Sequence, residues 1–372
     1  MISLTAWHHN PSPRVWPSPQ AQARAFHASL PGYAPTPLVD APELAAMLGV
    51  GHVLVKDESA RFDLGAFKIL GATWACFQLV GQRSGYAGPP DLAALRGHLA
   101  SVPGKPTYTL VTATDGNHGR AVARAARLLG LPAQVFLPRG VPQAVLDRIG
   151  AEGAVMTVVD SDYDGAVAAA KGSVAGDAGR LLVQDMGWPG YDDVPNWIAE
   201  GYLTLTAEID DQVAAMGLRG IDLVAVPIGT GTLGQAVVEY FRGAGRTPST
   251  RVISVEPDTA ACLLASLQAG RIVTVPTAST IANGLNCGTP SATGWPWLRD
   301  GLSGAVAVSD DELRQAITAL AGAGVKSGPS GCAAFAGLAA VLADPARRGQ
   351  LGIDATSVVV ALSTEGPIPG VS

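Results

Sequence analysis

Lys68 closes the run Lys56-Asp57-Glu58-Ser59-Ala60-Arg61-Phe62-Asp63-Leu64-Gly65-Ala66-Phe67-Lys68, in a chain that holds five lysines against twenty arginines. Arginine stays protonated and cannot act as a nucleophile, whereas a desolvated lysine can lose its proton and attack a carbonyl. Lys68 follows a Gly-Ala-Phe turn and precedes the apolar stretch Ile69-Leu70-Gly71-Ala72-Thr73-Trp74-Ala75, which reads as a helix. The positive end of a helix dipole favours the neutral amine. Lys68 is therefore the expected Schiff-base lysine. The other lysines have plainer readings. Lys56 follows a strand near acidic residues, Lys105 lies in a Gly-Pro loop, Lys171 sits on a polar helix face and Lys326 in a glycine loop.

Three further stretches carry chemistry. Thr112-Ala113-Thr114-Asp115-Gly116-Asn117-His118-Gly119-Arg120 lies between a strand end and a helix start. Its plain reading is a turn with Asp115 or Asn117 as helix cap. Its functional reading is a loop in which Asn117 donates to a phenolate oxygen and Asp115 moves a proton. Val226-Pro227-Ile228-Gly229-Thr230-Gly231-Thr232-Leu233-Gly234 has GxGxxG spacing, and Glu256 ends the next strand. Taken literally this is a dinucleotide fingerprint. Physically, a glycine loop opening a helix offers N–H groups and a positive dipole to any phosphate. The Thr230 and Thr232 hydroxyls suit a terminal monophosphate. At the C-terminal end, Val360-Ala361-Leu362-Ser363-Thr364-Glu365-Gly366 is a strand running into a turn, where the Ser363 hydroxyl can meet a pyridine nitrogen. Asp185 also ends an apolar strand, and its plain reading is a cap.

The elements around these motifs alternate. Residues 1–40 read as irregular and proline-rich, and helix 42–48 follows with Asp40 as its expected cap. A strand at 53–55 and a helix at 65–80 come next, then a glycine- and proline-containing link at 81–106. Strands are expected at 109–113, 133–137, 155–159 and 181–184, with helices at 118–129, 142–150 and 163–174 between them. This is parallel βαβ repetition. A long helix at 195–216 leads to strand 223–227, helix 233–243, strand 251–255, helix 258–268, helices 310–322 and 330–343, and strand 358–362. The expected fold is α/β with two open, twisted lobes. Residues 76–204 form the smaller lobe, inserted into a larger one made of 1–75 and 205–372. Ligands in such folds sit beyond the C-terminal strand ends.

Composition narrows the function classes. The 372-residue chain is 48% hydrophobic and 15% charged, with a net charge of −6 and no basic cluster, which argues against nucleic acid as a partner. It lacks a signal-peptide pattern and an apolar run long enough to span a bilayer. Its four cysteines, Cys76, Cys262, Cys287 and Cys332, and its six histidines show no zinc-ligand spacing, so no metal site is expected. Whether Cys262 and Cys287 meet in space is left open. A cytoplasmic enzyme is the default.

Together the motifs resemble the fold-type-II pyridoxal-phosphate enzymes, the tryptophan synthase β, threonine dehydratase and cysteine synthase group, and within it the diaminopropionate ammonia-lyase family. The likeness runs from Tyr33-Ala34-Pro35-Thr36-Pro37-Leu38 to the Ser363 turn. It is most specific at Lys56–Lys68, Thr114–Gly119, Val183–Tyr191 and Asn283–Pro290. The resemblance implies pyridoxal 5'-phosphate as cofactor, with Lys68 as its Schiff-base lysine and Phe67 beside it. Asn117 would partner the phenolic oxygen, Gly229, Thr230, Gly231, Thr232, Leu233 and Gly234 would hold the phosphate, and Ser363 would meet the pyridine nitrogen. Asp115 and Asp185 would serve the substrate, Asp115 as a second acid/base beside Lys68. A homodimer is implied as well. Two positions depart from the family pattern: Gly65 stands where asparagine is common, and Pro329-Ser330-Gly331 where Glu-Ser-Gly is usual.

The expected reaction is β-elimination on a β-substituted amino acid, 2,3-diaminopropionate going to pyruvate and two ammonia. A serine facing the ring nitrogen does not keep it protonated as a carboxylate would, which disfavours transamination and leaves elimination. A dehydratase of serine, threonine or another 3-hydroxy amino acid is the alternative within this chemistry. A nicotinamide dehydrogenase built on GxGxxG and Glu256 is the alternative outside it.

Overall fold

The structure, a computed structural model, describes residues 6–19, 22–103, 107–245 and 249–367. Lys105 and the outer ends of the expected lobes lie outside these residues, as do parts of the 1–40 and 81–106 segments. The described strands are β1 (Trp7–His9), β2 (Leu38–Asp40), β3 (His52–Asp57), β4 (Thr109–Ala113), β5 (Ala133–Leu137), β6 (Val155–Val158), β7 (Arg180–Leu182), β8 (Leu223–Pro227), β9 (Arg251–Pro257), β10 (Gly304–Val308) and β11 (Val358–Ser363). The chain divides into two compact units, whose described residues are 6–19, 35–65, 205–245 and 249–367 in one and 22–34, 66–103 and 107–204 in the other.

The larger unit holds a seven-stranded sheet in the order β1-β10-β9-β8-β11-β3-β2. Its interior strands pair in parallel, and only β1 with β10 and β2 with β3 run antiparallel. β8, β10 and β11 are buried at every position, the signature of parallel strands covered on both faces. β11 lies centrally, Ser363 in register with Asp57.

In this unit the turn before the chemistry-bearing lysine is held by buried charge. Arg61 donates through Nε to Glu58 Oε2 at 2.8 Å and through Nη2 to Glu208 Oε2 at 2.7 Å. Lys56, expected near acids, donates to Glu208 Oε2 at 2.8 Å and to the Thr36 carbonyl. All four charged side chains are wholly buried, where each charge needs its partners to offset desolvation. The network brackets Phe62 and Asp63, which adopt positive φ of 49° and 57°, a conformation that non-glycine residues hold only when the surroundings enforce it.

The smaller unit is a four-stranded parallel sheet in the order β6-β5-β4-β7. Helix Lys68–Ser84 belongs to this unit, whose longer segment runs from Ala66 to Thr204. Gly71 lets the side chains of Ile198 and Tyr202 close on the helix, since a Cβ there would stand 2.7 Å from both. Helix Gln22–Ser29 joins the unit because Phe26 packs on Trp74 and Phe77, and His27 bonds Thr204 Oγ1 at 2.7 Å and the Leu70 carbonyl at 2.9 Å.

Several elements differ from the sequence expectation. Helix Gln22–Ser29 lies in a segment read as irregular, and helix Leu92–Ser101 in one read as a link. Asp91 caps the latter by accepting from Ala94 N at 2.7 Å. Asp40 does not cap helix Pro42–Leu48: the cap position is Ala41, and Asp40 ends β2 and pairs with His52.

Candidate active site

In the smaller unit, Phe67 is the cap residue of helix Lys68–Ser84, and Lys68 is its first residue. Lys68 Nζ donates to Asp185 Oδ2 at 2.5 Å. The sequence placed Asp185 as a strand-end cap in its plain reading. The structure instead pairs it with a lysine 117 residues away. The dipole argument for a neutral amine meets an ion pair here, because a charge-assisted hydrogen bond of this length outweighs a helix end.

Two layers of hydrogen bonds hold Asp185. Tyr191 Oη accepts from Gln184 N and donates to the Leu182 carbonyl, both at 2.9 Å. The Gln184 side chain accepts from Ala113 N at 3.0 Å and donates to Tyr163 Oη at 2.9 Å. The residue before Asp185 is thereby tied to the end of β4, whose next residues are the Asp115–Asn117 loop. Burial opposes ionisation of Asp185, but the electrostatics of His118 and Lys68, with the Lys68 hydrogen bond, outweigh it and bring the carboxyl down to about 2.

Asp115 and Asn117 are half-buried, Asn117 being the first residue of helix Asn117–Leu129. Neither is the cap; that position is Gly116. The loop stays tight because Thr114 Oγ1 accepts from Gly116 N at 2.9 Å, and a Cβ on Gly119 would run into Thr114 and Val135.

His118 is a site residue that sequence reasoning missed. Its Nε2 donates to the Val183 carbonyl at 2.9 Å, and Nδ1 lies 3.8 Å from Asp185 Oδ2. Burial pushes the imidazole below its ordinary value, against the pull of Asp185. The signal for it was its place beside Asn117 in the loop.

In the larger unit, the glycine loop joins β8 to helix Thr232–Phe241. Gly231 is its cap residue at φ 96°, and no side chain caps the helix. The backbone passes in close quarters. A Cβ on Gly229 would come 3.1 Å from the Gly284 carbonyl, and one on Gly234 2.5 Å from Ile228 Cδ1. Thr230 and Thr232 bring their hydroxyls within 3.4 Å of each other, and Leu233 is buried behind them. Ser363 is buried at the end of β11, with Oγ donating to Ser327 Oγ at 2.8 Å.

These residues fit pyridoxal phosphate. A helix N-terminus without a side-chain cap, reached through glycines that leave no room for a Cβ, suits a phosphate dianion. A lysine amine suits the aldehyde, and a buried hydroxyl suits a ring nitrogen. Glu256 does not fit the alternative. Both its oxygens accept from the N-terminus of helix Cys262–Ala269, at Leu263 N (2.7 Å) and Leu264 N (2.8 Å), and burial pushes its carboxyl up to about 7. A wholly buried helix cap is not a ribose-binding carboxylate.

The two departures are accommodated locally. Gly65 has φ 78°, the left-handed region that glycine and asparagine both adopt, and its carbonyl accepts from Gly366 N at 3.0 Å. Beside Pro329, Ser330 Oγ accepts from Gly284 N at 3.2 Å and Ser330 N donates to Glu365 Oε1 at 3.3 Å. No disulfide joins Cys262 and Cys287. Among the described residues no helix is long and apolar enough to cross a membrane, and no cluster of His, Cys, Asp and Glu could hold a metal.

The model of the pyridoxal-phosphate dependent enzyme family matches residues 29–364, and the chain belongs to that family. Its relatives narrow the group. Diaminopropionate ammonia-lyase of Escherichia coli (strain K12) is 36% identical over 365 residues, covering 95% of this chain and 90% of that protein. The crystal structure of the Escherichia coli enzyme in complex with D-serine aligns with a TM-score of 0.87 at 34% identity, over 98% of this chain and 94% of that one. The structure of the same enzyme in complex with an aminoacrylate-PLP azomethine reaction intermediate aligns at 0.86 with the same identity and coverage. The chain is a member of the diaminopropionate ammonia-lyase family, with the fold-type-II architecture.

Proposed function

We propose that the chain is a pyridoxal-phosphate-dependent carbon–nitrogen lyase that converts 2,3-diaminopropionate to pyruvate and two ammonia. The observation that carries this reading is the Lys68 Nζ–Asp185 Oδ2 contact of 2.5 Å, a proton-carrying amine beside a buried carboxylate kept ionised. When bound, pyridoxal phosphate supplies an electron sink for charge left at the substrate's Cα. Gly229, Thr230, Gly231, Thr232, Leu233 and Gly234 would hold its phosphate, Asn117 would donate to its phenolic oxygen, Ser363 would meet its ring nitrogen, and Phe67 and Lys68 would hold its aldehyde end. Lys68, as a neutral amine, would take the substrate's Cα proton on its lone pair, and Asp185 would accept a hydrogen bond from the ammonium so formed. Asp115 is the second acid/base and gives the β-amine the proton it needs to depart as ammonia. The released enamine hydrolyses to pyruvate and the second ammonia.

The test is a paired assay on purified protein. A visible absorbance band removed by borohydride, together with keto-acid release from diaminopropionate, is the expected result. Colourless protein overturns the cofactor assignment. Turnover of serine or threonine without turnover of diaminopropionate overturns the substrate and favours a dehydratase. The reading extends to a cytoplasmic homodimer, the expectation carried from sequence. Light scattering tests the pairing, and cell fractionation the compartment.

A further inference from the structure

Tyr202 is 1% exposed, and its hydroxyl is buried with no hydrogen-bond partner among the described residues. A buried polar group without a partner is costly, and phenylalanine would fill nearly the same volume without that cost. The ring is placed with care all the same. Its centroid lies 4.8 Å from that of Phe67, while Lys68 Nζ lies 5.5 Å from the centre of the same Phe67 ring. Gly71, one turn along the Lys68 helix, opens the notch that takes the phenol end, since a Cβ there would stand 2.7 Å from Tyr202 Cε1 and 2.8 Å from Cζ. Burial raises the phenol's pKa, and both Lys68 and Asp185 lie within electrostatic reach of it.

We propose that Tyr202 is a positioning residue for the Lys68 amine, an assignment that rests on the lyase reading above. With Lys68 displaced and neutral, Tyr202 Oη accepts one Nζ–H, which leaves the nitrogen lone pair free for the substrate. As the Cα–H bond breaks, the proton goes to that lone pair and the electron pair stays with the carbon framework. The ammonium so formed then has both Tyr202 Oη and Asp185 as acceptors. The hydroxyl thus has its partner during turnover, when Nζ moves, rather than in the resting arrangement.

The test is Tyr202→Phe, measured as apoprotein and as holoenzyme beside the wild type. The expected result has three parts. The apoprotein melts at or above the wild-type temperature, because an unpartnered hydroxyl is gone. In the holoenzyme, kcat on diaminopropionate falls roughly tenfold to a hundredfold while KM stays within about twofold. The isotope effect with Cα-deuterated substrate grows. Unchanged kcat and isotope effect overturn the assignment alone. A lowered melting temperature with kcat and KM worsening together also overturns it, in favour of simple packing. Wild-type enzyme that releases no keto acid from either enantiomer overturns the lyase reading, and this assignment with it.

Discussion

Helices Lys68–Ser84 and Thr232–Phe241 each start just after a turn that holds a glycine at positive φ, and they offer a ligand different things. The first presents a side-chain amine, paired with Asp185 and flanked by His118. The second presents backbone N–H groups behind Gly231 at φ 96°, with no side-chain cap. One region is built from titratable groups placed by long-range packing, the other from main chain that an added Cβ would spoil. The first should therefore respond to charge and pH, and the second to the volume of a single methyl group. Variants that separate turnover from cofactor affinity test the contrast.

The largest effect is expected from Lys68→Ala. It should lower kcat by about four orders of magnitude or more and abolish the borohydride-sensitive band. Cofactor should still bind, measured by equilibrium dialysis, because the glycine loop is untouched. Loss of all binding would break the division between the regions. Asp115→Asn comes next. If Asp115 and Lys68 serve opposite enantiomers, one enantiomer of diaminopropionate should lose roughly two to four orders of magnitude in kcat/KM and the other far less. Equal losses in the keto-acid assay would remove the two-base reading.

How much of this was legible in the sequence follows from how local each feature is. The βαβ repetition from Thr109 to Leu182 was legible because strand and helix periods alternate within short windows. β10, made of Gly304-Ala-Val-Ala-Val308, was not, since its small residues carry little strand signal outside a buried sheet. Helix Leu92–Ser101 was masked by Gly88, Pro89 and Pro90, although Asp91 was a readable cap. The junctions that carry Lys68, Asn117 and the glycine loop were legible because each opens a helix directly after its own turn. The Lys68–Asp185 pair, the Arg61–Glu208 network and Tyr202 depend on residues more than a hundred positions apart, and only folding brings them together.

Gly231→Ala probes the backbone-built region. A φ of 96° is outside the range that alanine adopts comfortably, and its Cβ would stand 2.7 Å from Leu298 Cδ1. A cost of about 1–3 kcal/mol is expected for such strain, so cofactor affinity should fall roughly fivefold to a hundredfold in a fluorescence titration. At saturating cofactor, kcat should stay within about twofold of wild type. A lower kcat under saturation would mean that the loop also sets the position of the reacting atoms.

The smallest effect is a stability signature of the charged region. Asp185 is held at about 2 in the folded chain against an ordinary 3.8. A depressed carboxyl contributes stability that is complete above its unfolded value and is lost as pH falls through its folded one. The window is therefore from about pH 4 down to about pH 2, and the contribution is about 2 kcal/mol. Asp185→Asn has no carboxyl to titrate there and leaves the Lys68 ammonium with a neutral partner. Its apoprotein should melt below wild type at pH 7 by a few degrees, yet lose less melting temperature between pH 4 and pH 2. Gly231→Ala, which touches no charge, should keep the wild-type slope through that window. If calorimetry gives Asp185→Asn and wild type the same slope, the ion pair contributes nothing to folding, and the difference between the two regions is one of catalysis alone.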